Sequence, residues 1–194
     1  MVKTILAILL LLNSGVASLH IETAHSAQIS ISSDGVDIHY EVHGKGEPTL
    51  VFIHGWSCDR SYWRAQVEYF AKQYQVITID LAGHGESGTN RSEWNLRDYG
   101  TDVVSVVNAL QLEKLVLVGH SLGGHVALEV ASLMQERVLM VIGADSLHDL
   151  SATFSEEEMT ALVQAMETDF RATAQDMVRS QMFLPEADIS VVGY

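Results

Sequence analysis

The sequence predicts a layered α/β domain, a mostly parallel central sheet with helices on both faces. Segments 50–53, 76–79, 115–118 and 138–142 are continuous apolar runs rich in Val and Ile. Runs of that kind mark strands covered on both faces. Helical spacing fills intervals between them. Leu96, Tyr99, Val103, Val106, Val107 and Leu110 recur on one face, and 122–134 is apolar on most sides. Strands alternating with helices imply right-handed parallel crossovers.

Composition bounds the function. The chain has 194 residues and is 47% hydrophobic, enough for one domain with its own core. Its net charge is −14, from 25 acidic and 11 basic side chains. No basic stripe is available to neutralise phosphates, so a nucleic-acid partner is not expected. Cys58 is the single cysteine. No internal disulfide can form, and no base is placed beside that thiol, which reads as idle.

The first 27 residues stand apart. Lys3 precedes an apolar run over 5–12, followed by small residues at Gly15, Ala17, Ala24, Ser26 and Ala27. That pattern reads as a secretory signal peptide over 1–27 and places the protein outside the cytoplasm, secreted or periplasmic. An uncleaved N-terminal membrane anchor is the alternative. The run is short for a bilayer, so no stable span is expected after cleavage.

The core is expected over 28–150. It begins with alternating segments 29–32 and 36–42 around Ser33-Asp34-Gly35, a hairpin of half-exposed strands. Past residue 142 the pattern changes. Ser155 and Glu158 make a capping box, and Met159, Leu162, Val163 and Met166 form a helical stripe. A second amphipathic stretch runs from Phe170 to about Gln181, before Pro185 breaks the pattern. Two successive helices without a strand between them predict a helical cap, here 151–194, inserted above the sheet.

Chemistry concentrates at Gly119-His120-Ser121-Leu122-Gly123-Gly124. This G-x-S-x-G follows a buried strand and opens a helix, the context in which a serine is forced into a strained strand-to-helix turn. Its hydroxyl is then held above the sheet edge, beside a helix N-terminus that favours negative charge. The plainer reading is a glycine-rich turn whose serine caps the helix. His54-Gly55-Trp56 follows the 50–53 run, where a loop is needed to present a backbone N–H to an oxyanion. Trp56 N–H and Leu122 N–H are the predicted donors, and losing one such donor typically costs about 2.7–4 kcal/mol in the transition state. His54 reads as a hydrogen-bonding residue that shapes this loop, since it is badly placed to act as base. Asp80, in Asp80-Leu81-Ala82-Gly83-His84-Gly85-Glu86-Ser87, reads as the residue that ties down its turn through backbone N–H groups.

These three segments, in this order and each after a strand, resemble the α/β-hydrolase superfamily. The resemblance runs from about Ile29 to the last residue and is closest to serine members related to lipases, esterases and cofactor-free haloperoxidases. It implies an eight-stranded, mostly parallel sheet, a Ser–acid–His triad, a cap after the sixth strand, and no cofactor. Ser121 matches the nucleophile, and Trp56 and Leu122 match the oxyanion-hole positions. Haloalkane dehalogenases and epoxide hydrolases of this fold carry aspartate where Ser121 stands, which disfavours those activities.

Only six strand patterns are present, and the family places the acid and histidine after two more. The expectation is a C-terminally truncated chain lacking both. Asp145 is the candidate acid within the chain, with His148 and Asp149 close behind it. His125 reads as a helix-surface or packing residue, and His20, His25 and His43 fall outside the expected site. No cluster has metal-ligand spacing, so no metal is expected. The function implied is a serine hydrolase acting on a small-molecule carboxylic ester or related acyl bond. The alternatives are a haloperoxidase or perhydrolase with the same triad, and a non-catalytic binding protein on the same scaffold. A bare apolar edge at 138–142 invites aggregation. This chain expressed alone is therefore expected to be poorly soluble and hydrolytically dead. A monomeric preparation that cleaves p-nitrophenyl acetate through Ser121 would contradict both parts.

Overall fold

Ser33-Asp34-Gly35 folds the chain back on itself, with Gly35 at φ 87° in the left-handed region that glycine adopts without strain. The computed structural model describes residues 28–147 and 155–177. In it the turn joins β1 (Gln28–Ile31) to β2 (Asp37–His43) as an antiparallel pair, with Ser30 opposite Ile38. Four further strands are mutually parallel: β3 (Thr49–Ile53), β4 (Val76–Ile79), β5 (Leu115–His120) and β6 (Val138–Ala144). The sheet order is β1-β2-β4-β3-β5-β6, and β2 joins β4 antiparallel. The central sheet is therefore mostly parallel, as the apolar runs predict.

Alternate side chains of the sheet feed two cores. On one face, α2 (Leu96–Ala109) and α3 (Leu122–Leu133) bring Val103, Val107, Val126 and Val130 against Ile53, Ile77, Leu115 and Leu117. Asn95 opens α2 by accepting the Asp98 N–H at 2.9 Å. The other face is covered by α1 (Arg64–Phe70) and the 3₁₀ turn Arg60–Trp63 before it. Trp63, Val67 and Phe70 pack there on Leu50, Phe52 and Val76, with the Phe52 and Trp63 rings 4.9 Å apart. The sequence reading does not predict α1, because those three side chains are too few to declare a helical period.

Two strands depart from the expected burial. The apolar run of β6 predicts cover on both faces, yet Leu139, Met140 and Ile142 are 59%, 56% and 42% exposed. Among the described residues β6 pairs only with β5, so it is an edge strand whose apolar side chains have no second neighbour. At the other edge, β1 points Ser30 inward and leaves Ile29 and Ile31 exposed.

Ser32, the buried residue just after β1, serves a buried ion pair. Ser32 Oγ donates to Asp102 at 2.5 Å, and Arg91 reaches both Asp102 oxygens, at 2.6 and 3.0 Å. Burial pushes the Asp102 carboxyl up, while the Arg91 and Ser32 hydrogen bonds oppose it. Arg91 also meets the exposed Asp34 at 2.6 Å and lies 5.5 Å from the centre of the Trp94 ring. The β1–β2 hairpin, the segment after β4 and α2 are thus tied through one guanidinium.

The second unit begins at His148. Its α4 (Glu156–Thr168) opens on the predicted capping box, Ser155 Oγ accepting Glu158 N–H at 3.2 Å and Glu158 accepting Ser155 N–H at 2.8 Å. α5 is Phe170–Met177. The predicted signal peptide, along with His148 and Asp149, lies outside the described residues. Among the described residues no helix is long and apolar enough to cross a membrane.

Arg91→Ala leaves Asp102 buried without its partner and is expected to cost about 3–5 kcal/mol of stability. Asp34→Ala removes only a solvent-exposed partner and should cost less than about 1 kcal/mol. Urea unfolding of both variants checks the contrast, and equal losses would contradict it.

Candidate active site

The four parallel strands end on one edge of the sheet, so the turns that leave them stand side by side. Open α/β sheets bind ligands at that carboxyl edge. Ile53 is in register with Gly119, and Gly119 with Gly143. The exits of β3, β5 and β6 carry His54-Gly55-Trp56, Ser121 and Asp145-Ser146 respectively.

Ser121 sits at φ 50° and ψ −118°, between β5 and α3. A non-glycine residue there is strained by about 1–3 kcal/mol. The plainer sequence reading, a serine that caps the helix, is not what the structure shows: Ser121 Oγ makes no cap hydrogen bond. The strain is sustained by close packing. A Cβ on Gly123 would overlap the carbonyl oxygens of Ile53 and His54, so the first turn of α3 can lie directly on the β3 exit. Likewise a Cβ on Gly55 would stand 2.9 Å from His120 Nδ1 and 3.1 Å from Ser121 Cβ. The loop that carries the Trp56 amide therefore runs against the Ser121 turn. Cys58 N–H returns to Gly55 O at 3.3 Å, closing a turn with Ser57 at φ 58°. Trp56 is 45% exposed and Leu122 half-buried.

His54 is 1% exposed, and both its nitrogens are engaged. Leu81 N–H donates to Nε2 at 3.0 Å. An N–H can only donate, so Nε2 is the acceptor and the proton resides on Nδ1, which donates to Gly55 O at 2.7 Å. Burial holds the imidazole below the ordinary histidine value, and His84 pushes the same way. The bond to Gly55 O, Asp80 and Asp59 pull against them. His54 shapes the loop, as its position in the sequence predicts.

Asp80 is fully buried and ties down the β4 exit. Its carboxylate accepts Arg60 N–H at 2.8 Å and Glu86 N–H at 2.9 Å, and it pairs with the Arg60 guanidinium. Arg60 also binds Glu41, at 3.1 Å, and Glu86. The sequence reading misses Arg60, since nothing in its neighbourhood marks it as the partner of a carboxylate 20 residues on. Arg60 and Asp80 line a cavity of about 440 Å³ that includes neither Ser121 nor Trp56 among its walls.

Asp145, the candidate acid, follows β6 on the same edge as Ser121 and is exposed, at φ 45°. His125 is half-buried on α3, and His43 lies on β2, 3.1 Å from Glu41. Among the described residues no histidine hydrogen-bonds Ser121 Oγ. Burial pushes the Cys58 thiol up. Among the described residues no three His, Cys, Asp or Glu side chains are grouped to hold a metal ion.

The sequence profile of the alpha/beta hydrolase fold family matches residues 48–185, and the chain belongs to that family. The (E)-2-((N-methylformamido)methylene)succinate hydrolase of Acinetobacter baylyi is 40% identical over 85 residues, which are 44% of this chain and 32% of that protein. Human epoxide hydrolase 4 is 32% identical over 117 residues, 59% of this chain and 32% of its own. Among solved structures, an esterase from Exiguobacterium antarcticum superposes with a TM-score of 0.71 at 22% identity, covering 78% of this chain and 60% of the esterase. Est816, described as an N-acyl homoserine lactone degrading enzyme, gives 0.68 at 29% identity, covering 77% and 56%. The chain thus spans about a third of the length of these two sequence relatives.

An imidazole that resists protonation when folded, but accepts a proton near pH 6.5 when unfolded, makes stability fall as pH drops below about 6.5. Above that pH the contribution is constant. His54→Gln is therefore expected to lose less of its remaining stability between pH 7 and 5 than the parent chain does. Thermal melts across that range check this, and parallel pH profiles would contradict it.

Proposed function

We propose that the protein is a serine hydrolase in which Ser121 attacks the carbonyl carbon of a carboxylic ester or related small acyl compound. The observation that carries this reading is the strained Ser121 backbone, which holds an uncapped hydroxyl at the carboxyl edge of the sheet. In the mechanism, the Ser121 hydroxyl loses its proton to a histidine as Oγ bonds to the carbonyl carbon. The carbonyl oxygen becomes an oxyanion, met by Trp56 N–H and Leu122 N–H at the start of α3. The oxyanion collapses, the alcohol leaves with the proton, and water releases the acyl group by the same two steps. Among the described residues no histidine reaches Ser121 Oγ, and Asp145, on the same edge of the sheet, is the candidate for the carboxylate that orients one. No cofactor enters the cycle.

The relatives support acyl hydrolysis more than epoxide opening, despite the likeness to human epoxide hydrolase 4. Epoxide opening in this family uses an aspartate nucleophile, and position 121 is serine. The signal peptide reading of 1–27 places this chemistry outside the cytoplasm.

Incubation of the intact protein with a fluorophosphonate is expected to modify Ser121 and no other residue, and Ser121→Ala should abolish the label while changing stability by less than about 1 kcal/mol. Peptide mapping of the product checks the site. An unlabelled Ser121 in folded protein would favour the binding-protein reading.

A further inference from the structure

The two amides assigned to the oxyanion belong to two peptide groups, Gly55–Trp56 and Ser121–Leu122. Neither is cis. In a planar trans peptide the N–H points opposite to the C=O, so whatever holds the carbonyl oxygen aims the amide. Both carbonyls are held twice, once by a backbone amide and once by a side chain. Gly55 O accepts from Cys58 N–H at 3.3 Å and from His54 Nδ1 at 2.7 Å. Ser121 O accepts from Gly124 N–H at 3.0 Å and from Ser146 Oγ at 2.8 Å.

The two side chains reach these carbonyls from opposite sides of the site. His54 sits on the β3 exit and is locked from behind by Leu81 N–H, from the β4 exit. Ser146 sits on the β6 exit, between Asp145 at φ 45° and Leu147 at φ 63°. Two departures into the left-handed region, at the non-glycine residues on either side of Ser146, are strain borne by a loop that turns one hydroxyl back onto the Ser121 turn. The helix accommodates it: a Cβ on Gly124 would collide with Ser146 Oγ and Cβ.

We propose that Ser146 and His54 are positioning residues, each donating a hydrogen bond to the carbonyl of one oxyanion peptide and so aiming Leu122 N–H and Trp56 N–H. The proposal rests on Ser121 being the nucleophile. Aim is one part of the effect. A hydrogen bond accepted by the carbonyl also polarises the N–H of the same peptide, which makes that amide a stronger donor. Neither side chain touches the substrate. Their contribution appears only where charge develops on the substrate oxygen, in the transition state rather than in the bound ester.

Ser146→Ala in the intact protein, as its cell makes it, tests this with p-nitrophenyl acetate. Counting sites by fluorophosphonate titration restricts the rate to folded molecules. The expected result is a fall in kcat per titrated site of about 10- to 100-fold, with KM changed less than about twofold. The affinity of a trifluoromethyl ketone, which forms the oxyanion adduct, should fall by the same factor as kcat/KM. His54→Leu removes the donor to Gly55 O together with the acceptor for Leu81 N–H, and is expected to show the same signature in kcat per titrated site. A Ser146→Ala protein that turns over at the parent rate per titrated site, whatever its melting temperature, overturns the positioning role and leaves the nucleophile in place. A parent protein whose Ser121 takes no fluorophosphonate overturns both.

Discussion

The close approach of α3 to the end of β3 governs the rest of the site. Gly123 lies against the carbonyl oxygens of Ile53 and His54, with no room for a Cβ. Only because the helix comes that near does the chain turn from β5 into α3 within one residue, and that residue is Ser121, at φ 50°. The strain of such a turn has to be outweighed elsewhere, and it is met by packing on the face that α3 covers. Val126, Ala127 and Val130 are fully buried there, behind Leu115 and Leu117. Hydrophobic burial thus fixes the helix, the helix fixes the turn, and the turn fixes the hydroxyl.

The loops around that hydroxyl contain few apolar anchors and depend on buried polar groups instead. His54 joins the β3 exit to the β4 exit through one neutral imidazole. Asp80, fully buried, gathers Arg60 and the Glu86 amide. Ser146 brings the β6 exit back to Ser121. In a low-dielectric interior each such bond is strong, and each is costly to break on one side. Hydrogen bonds also fix direction, which apolar contacts do not, and direction is what an oxyanion site requires.

Much of this architecture is legible in the sequence. Four strands stand where the apolar runs place them and two where the alternating segments do, α2 and α3 follow their periodic stripes, and the Ser155–Glu158 box opens α4 as its spacing requires. The likeness to the α/β-hydrolase superfamily, carried by three short segments, agrees with the family to which the chain belongs. Other features are hidden for physical reasons. The order that puts β4 between β2 and β3 depends on crossover geometry, which local periodicity does not encode. α1 shows only three inward apolar side chains, too short a stripe to read. Arg60 and Ser146 are ordinary polar residues whose partners lie 20 and 25 positions away. The β6 run looks like a doubly covered strand because an edge strand and a central one share the same composition, and only neighbours distinguish them.

The central claim is that Ser121 Oγ faces a pocket where the Trp56 and Leu122 amides converge. A crystal structure of the intact protein after reaction with diethyl p-nitrophenyl phosphate tests it most directly. The account predicts a phosphorus–oxygen bond to Ser121 Oγ, with the phosphoryl oxygen within about 3.1 Å of both amide nitrogens. An adduct on another residue, or a phosphoryl oxygen turned away from those two amides, would contradict it.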